Sequence, residues 1–339
     1  MPQPPGLKVA LKRGALLTAA NWPLVAVQFI AESTLKLLLA VPVVGGVALV
    51  VLLLDAEAGT LLDGDLRLVF TAVIGALREN PAALAAFVLS SLIVLVGGSI
   101  LTFVVKSGTV VTLAQAEAFA GSIERPPLRL HQLKRANRTA IEPFLDACRR
   151  FWRRYVRLGL CLLLLYGLLY GITLAAATYL GLLIGGYAMA DNVAVLLGGT
   201  VIAVVVSSML FILTSVVNLV YLLTQMVIAV EDVSVRRAVW QVFRFGRERL
   251  SAIAGIFGVV LVLVVLAVVA SILGAFGLGF ISWVPGAALA VLPLQVAAWL
   301  LRGFVFQYLA LTALGAYLTQ YRHYQHGTDL TAIPGQRLA

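Results

Sequence analysis

Charge is scarce in this chain: 12% of its 339 residues are Asp, Glu, Lys or Arg, against roughly a quarter in an ordinary soluble domain. With 61% hydrophobic residues and a mean hydropathy of +1.02, too little polar surface exists to cover a core in water. Leu250 to Leu301 contains no charged residue in 52 positions. A soluble globular fold is excluded, and the solvent for most of the chain is a bilayer.

Cysteine is nearly absent as well. Cys148 and Cys161 are too few for a disulfide framework, and both read as reduced thiols on the cytosolic side or within the membrane. The opening MPQPPGLKVALKRG has no small-residue cleavage site after a short apolar core, so a removed signal peptide is not expected. Histidine is limited to His131, His323 and His326, none of them in a proposed span. His323 and His326 stand three apart, but only Asp329 is near enough to join them as a ligand, so no metal site is assigned. No H-E-x-x-H helix and no G-x-x-x-x-G-K-[ST] loop occurs. Ser99 and Ser271 lie in apolar segments without a histidine to activate them. No catalytic residue and no cofactor is assigned, and a non-enzymatic protein is expected.

What is present is a set of apolar runs. A helix rises 1.5 Å per residue, so a hydrocarbon core of about 30 Å takes roughly 20 residues per crossing. Leu37 to Leu54, preceded by Leu24 to Ala31, makes a first span, kinked at Pro42 or Gly45 and Gly46. Asn80 to Val105 makes a second that runs past Lys106 toward Ala114. Leu158 to Ala190 and Asn192 to Val230 are each too long for one straight crossing and too short for two, so each reads as one tilted helix, with the break at Gly185 to Asn192. The charge-free stretch divides at Gly277 to Gly286 into spans of about 250 to 276 and 286 to 318. The expected fold class is all-α: a polytopic membrane bundle of six transmembrane helices with amphipathic interfacial helices.

The net charge of +10 is explained by orientation rather than nucleic acid, because 20 of the 25 Lys and Arg residues fall on one side of this topology. Lys8, Lys12 and Arg13, ten residues in 116 to 157, five in 231 to 249, and Arg322 and Arg337 make that side. The other side has Arg67 and Arg78 among Asp55, Glu57, Asp63, Asp65, Glu79 and Asp191. Both termini are therefore expected in the cytosol, with no nucleic-acid partner.

A threefold pattern precedes the odd-numbered spans. In FLDACRRFWRRYVR, Phe144, Cys148, Phe151, Trp152 and Tyr155 share one helical face, and Arg149, Arg150, Arg153, Arg154 and Arg157 occupy the rest. The segment SVRRAVWQVFRFGRER sets Val235, Val239, Val242 and Phe243 against Arg236, Arg237, Arg244 and Arg247. GLKVALKRGALL is a weaker copy. Such helices suit the headgroup layer. The chain divides into a single membrane domain of three helix-hairpin units, 1 to 115, 116 to 230 and 231 to 320, with a cytosolic tail at 321 to 339. These arginines hold the hairpin ends at an anionic leaflet, at about 1 kcal/mol per basic residue, or they dock an acidic partner or a specific anionic lipid.

The segment VYLLTQMVIAVEDVSVRRAVWQVFRFGRERL, a long apolar helix ending in V-E-D-x-S-V-R-R-A before a basic helix, resembles a bacterial group of six-helix integral membrane proteins. That group includes the membrane domain attached to some glycerophosphoryl diester phosphodiesterases. The resemblance implies a multi-pass protein of a bacterial inner membrane. It implies no phosphodiesterase activity, since that belongs to a separate soluble barrel and all residues here are taken by spans, loops and a tail.

Polar residues inside spans cost at least about 2.5 to 3.5 kcal/mol when ionised at the bilayer centre, so their positions matter. Lys106 is near enough to a span end to snorkel. Gln28, Glu32 and Lys36 form one stripe, in which Glu32 and Lys36 neutralise each other or relay protons. Arg302 stands 16 residues from either end of the sixth span, paired with an acid such as Glu32, held by carbonyls freed near Gly303, or forming an anion or lipid-phosphate site. Asn218 and Gln225 share a face of the fourth span and either bond a neighbour or line the same cavity. Gly167, Gly171 and Ala175 form a small-residue ridge, and Ala254 and Gly258 a notch, for packing within the chain or in an oligomer. Two functions are expected as alternatives: a lipid-interacting scaffold or accessory subunit, or a transporter or channel for a small anion or lipid built around Arg302.

Overall fold

The computed structural model describes residues 5–53, 81–124, 130–188, 193–282 and 287–331. The acidic segment 55 to 79, Asp191, Arg125, Arg129, the last four residues of the turn expected at 277 to 286 and the last eight residues of the chain lie outside them. Among the described residues there are nine helices and no strand. They are α1 (Leu7–Ala20), α2 (Trp22–Leu53), α3 (Pro81–Phe119), α4 (Leu130–Ala136), α5 (Ile141–Ala188), α6 (Val193–Glu231), α7 (Val235–Glu248), α8 (Leu250–Ser282) and α9 (Ala287–Thr331). Six are long and apolar enough to cross a membrane, in α2, α3, α5, α6, α8 and α9. This is an all-α, multi-pass membrane protein.

The spans pair as three hairpins, α2 with α3, α5 with α6 and α8 with α9. The first hairpin lies between the others: α3 packs on α5, and α9 packs on α2. The third hairpin is clasped from outside by α1, which lies along α9.

Packing is concentrated at one end, where the chain is most basic. The core is built from Ala10 and Leu17 of α1, Val110 to Ala116 of α3, Phe151 and Tyr155 of α5, Leu223 to Ile228 of α6, Val242 and Phe245 of α7, and Leu311 to Tyr321 of α9. Toward the other end the same helices expose Leu164, Leu168 and Leu174 on α5, Val204 and Met209 on α6, and Leu273 and Phe280 on α8. Apolar side chains left open at this density are covered by lipid tails rather than by protein.

Length explains part of the arrangement. At 48 and 45 residues, α5 and α9 reach about 72 and 68 Å, more than twice a hydrocarbon core. The excess at the basic end forms the packed region. Here the structure corrects an expectation. The segment 144 to 157 is not a separate interfacial helix but the first turns of α5, and its aromatic face turns inward: Cys148, Phe151 and Tyr155 are buried while Trp152 is exposed. Gly108 makes this possible, since a Cβ there would stand 2.6 Å from the Cys148 sulfur and 2.7 Å from the Phe144 ring. Helix α9 continues to Thr331, with Tyr321 buried.

Candidate functional site

Of the five intramembrane residues singled out, the structure places Glu32 at the centre of a polar cluster without joining it to its expected partners. Its carboxylate accepts hydrogen bonds from Gln307 Nε2 at 2.5 Å and Gln28 Nε2 at 3.4 Å. Lys106 of α3 lies within electrostatic reach of Glu32, with its ammonium 5.6 Å from the Tyr221 ring centre. Lys36, one turn further along α2, is exposed, and no ion pair joins it to Glu32 among the described residues. Lys106 is half-buried and makes no ion pair with Glu32 among the described residues.

Gln225 is fully buried on α6, beside the Tyr155 hydroxyl, which donates to the Gln225 backbone carbonyl at 2.8 Å. Asn218 accepts a hydrogen bond from Tyr166 at 2.5 Å. Both residues tie α6 to α5, so they serve the second hairpin.

Arg302 stands apart. It is exposed on α9, 15 residues or about 22 Å from the start of that helix, and its guanidinium lies 5.6 Å from the Phe306 ring. It lines a groove of about 500 Å³ between α8 and α9 with Ser271, Gly274, Gln295 and Trp299. The expected pairing with Glu32 does not form. Gly303 serves a different purpose from the one expected: a Cβ there would stand 2.5 Å from the Phe29 ring, so this glycine lets α2 approach α9.

The expected packing ridge also differs. A Cβ at Gly167, Gly171 or Gly258 would meet nothing within 4 Å. Close approach is made instead at Gly14, Gly98, Gly108, Gly159, Gly303 and Gly315, and at Gly46 against the Phe87 ring.

The basic helices form the second candidate site. Arg150 and Arg154 both bond Asp232 in the link between α6 and α7, where Asp232 adopts a left-handed φ of 53°. The Arg154 hydrogen bond, opposed by partial burial and aided by Arg150, holds the Asp232 carboxyl below the usual carboxylate range. A depressed carboxyl contributes stability that is present above its unfolded value and lost as pH falls through the folded one. Acid titration of the purified protein is therefore expected to loosen the α5 to α7 link below the ordinary carboxylate range. Asp232→Asn should abolish that step; an identical acid transition in the variant would contradict it. Arg149, Arg153 and Arg157 of α5 remain exposed to solvent or headgroups, with Trp152 among them, and the Arg153 guanidinium lies 5.5 Å from the Trp152 ring.

Helix α7 has the clearest two-sided pattern. Ala238, Val242 and Phe245 are buried, while Trp240 and Phe243 are exposed among Arg236, Arg237, Arg244 and Arg247. Arg244 pairs with Glu248 one turn away at 3.2 Å. The expectation that Phe243 shares the apolar core face is corrected, because Phe243 points outward and Phe245 inward. Beside α7 a groove of about 970 Å³ is lined by Arg236, Arg237, Trp240, Arg244, Tyr321 and Glu231.

Sequence reasoning missed the buried ion network at the same end. Glu117 of α3 pairs with Arg13 at 3.2 Å and with Arg322 at 2.7 Å, and Arg13 also holds Glu124 at 2.7 Å. Counting these arginines only as cytosolic charge hid their partners. The signal was Glu117 itself, an acid in an apolar segment on the basic side.

No cluster of three or more His, Cys, Asp or Glu residues placed to hold a metal ion occurs among the described residues. No family model, curated protein or solved structure matches this chain.

Proposed function

We propose that this chain is a non-enzymatic, lipid-interacting scaffold or accessory subunit of a bacterial inner membrane, with its packed, basic end and both termini in the cytosol. The observation that carries this reading is the outward face of α5 and α7, where exposed Trp152, Trp240 and Phe243 stand among exposed arginines. Aromatic rings beside cations favour the headgroup layer of an anionic leaflet. The charge asymmetry of the loops supports the orientation.

The test compares thermal unfolding in nanodiscs of purely zwitterionic lipid with nanodiscs containing phosphatidylglycerol. The anionic lipid is expected to raise the midpoint of the wild type and to raise it less in an Arg149→Gln, Arg153→Gln, Arg157→Gln variant. Equal midpoints in both lipids would remove the basis for the reading.

A second reading, transport of a small anion or lipid, draws support from the groove lined by Arg302. Because Arg302 is exposed and makes no ion pair among the described residues, Arg302→Gln is expected to leave yield and thermal midpoint unchanged. Under the transport reading, flux into proteoliposomes is lost in that variant. Unchanged flux, or failure of the variant to fold, contradicts it.

A further inference from the structure

The arginines of α7 are arranged in a way that general attraction to an anionic leaflet does not explain. Arg236 and Arg237 lie in the first turn of α7, which contains no acidic residue. A helix start carries about half a positive charge, so cations there are unfavourable. Ser234, the residue before the helix, makes no side-chain cap. Asp232, the acid nearest them in sequence, is taken by Arg150 and Arg154. Neither Arg236 nor Arg237 has an ion-pair partner among the described residues. The start of α7 thus gathers two guanidinium groups, a hydroxyl and open backbone N–H groups in one place, which is the donor set that binds a phosphate.

The same groove holds an opposite charge. Glu231 accepts hydrogen bonds from Tyr321, Gln241 and Gln325. A carboxylate has about four acceptor positions, so one remains for a further donor. Trp240, Tyr321 and Tyr324 line the same groove, with Tyr321 bonded to Glu231 and centred 6.2 Å from Tyr324. A carboxylate with aromatic rings beside it is a setting for an organic ammonium, through both charge and ring quadrupole.

We propose that the groove beside α7 binds a zwitterionic phospholipid headgroup, with its phosphate at Ser234, Arg236 and Arg237 and its primary ammonium at Glu231 among Trp240, Tyr321 and Tyr324. The lipid enters from the leaflet at the basic end, where exposed Trp240 and Phe243 mark the headgroup level. This deepens the lipid-interacting reading and rests on it, but differs in the headgroup selected. A purely anionic surface prefers phosphatidylglycerol, whereas this groove selects phosphatidylethanolamine for its ammonium.

The test is native mass spectrometry of the full chain from nanodiscs of equal phosphatidylethanolamine and phosphatidylglycerol. The wild type is expected to retain phosphatidylethanolamine enriched about fivefold, as one cation–π contact with a charge pair provides. The double variant R236Q/R237Q, whose side chains make no ion pair among the described residues, should lose retention of both lipids in the groove. Glu231→Gln should keep a bound phospholipid and lose the preference; since Glu231 also holds Tyr321 and Gln325, the arginine variant decides the case if this one does not fold. Retention in the bulk ratio overturns the proposal. Enrichment of phosphatidylglycerol also overturns it while leaving the broader lipid reading intact. Stabilisation by free O-phosphoethanolamine without enrichment of either lipid overturns the membrane source.

Discussion

Glu117→Gln is expected to cost about 3 kcal/mol of stability, the low end of the loss caused by removing one member of a buried ion network. The side chain is 6% exposed and faces two guanidinium groups at 3.2 and 2.7 Å. Arg13 and Arg322 together with Glu117 and Glu124 form a neutral set, so neutralising Glu117 leaves a net positive charge in a poorly solvated site. Glutamine keeps the volume, so the loss reports charge. Arg13 belongs to α1, Glu117 to α3 and Arg322 to α9, and the substitution should weaken the docking of all three. Glu124→Gln should cost less, because its carboxylate is more exposed at 17% and Arg13 keeps Glu117. Thermal unfolding in nanodiscs reads the difference. Equal midpoints for the two variants would show that the network is not what holds this end together.

Gly14→Val should release α1 from the bundle. A Cβ at position 14 would collide with the Thr312 carbonyl oxygen and stand 2.7 Å from the Ala316 backbone nitrogen. Both are main-chain atoms of α9, which cannot rotate aside as a side chain can. Gly315 completes the crossing, since a Cβ on it would lie 2.9 Å from Gly14 Cα. Overpacking of this kind costs about 1 to 3 kcal/mol, and separating the helices also exposes Ala10 and Leu17, both buried. The expected outcome is rapid proteolysis of the first 20 residues with the spans still intact. Gly167→Ala and Gly171→Ala are the contrast: nothing lies within 4 Å of either Cβ, so these changes should be neutral or stabilise by up to about 1 kcal/mol through helix propensity. A protease-resistant Gly14→Val protein would mean that α1 is not packed as described.

The six spans were legible because hydrocarbon thickness sets a length that apolar runs either meet or do not. Partnerships were less legible. The basic face of 144 to 157 was visible as a face, but helical periodicity does not say what it faces, and its aromatic side turned out to pack on α3. Glycine spacing suggested Gly167 and Gly171 as contacts, whereas the contacts formed at Gly14, four residues after Ala10, and at Gly108. Glu32 was recognised as costly in a membrane, but its partner Gln307 is 275 positions away and no local rule selects it. Arg302 was recognised for the same reason, and the structure assigns it a groove of its own instead of the expected acid. What the sequence left open throughout was which helices meet, and most of the site depends on that.

The proposed function stands on one relation, that exposed arginines and aromatic rings at the packed end bind membrane lipid. Its most direct test extracts the protein from its native membrane into polymer-bounded nanodiscs without detergent. Native mass spectrometry then compares the wild type with the Arg149→Gln, Arg153→Gln, Arg157→Gln, Arg236→Gln, Arg237→Gln variant. The expected result is phospholipid held in fixed stoichiometry by the wild type through collisional removal of bulk lipid, and shed by the variant. Identical loss of lipid from both proteins would contradict it.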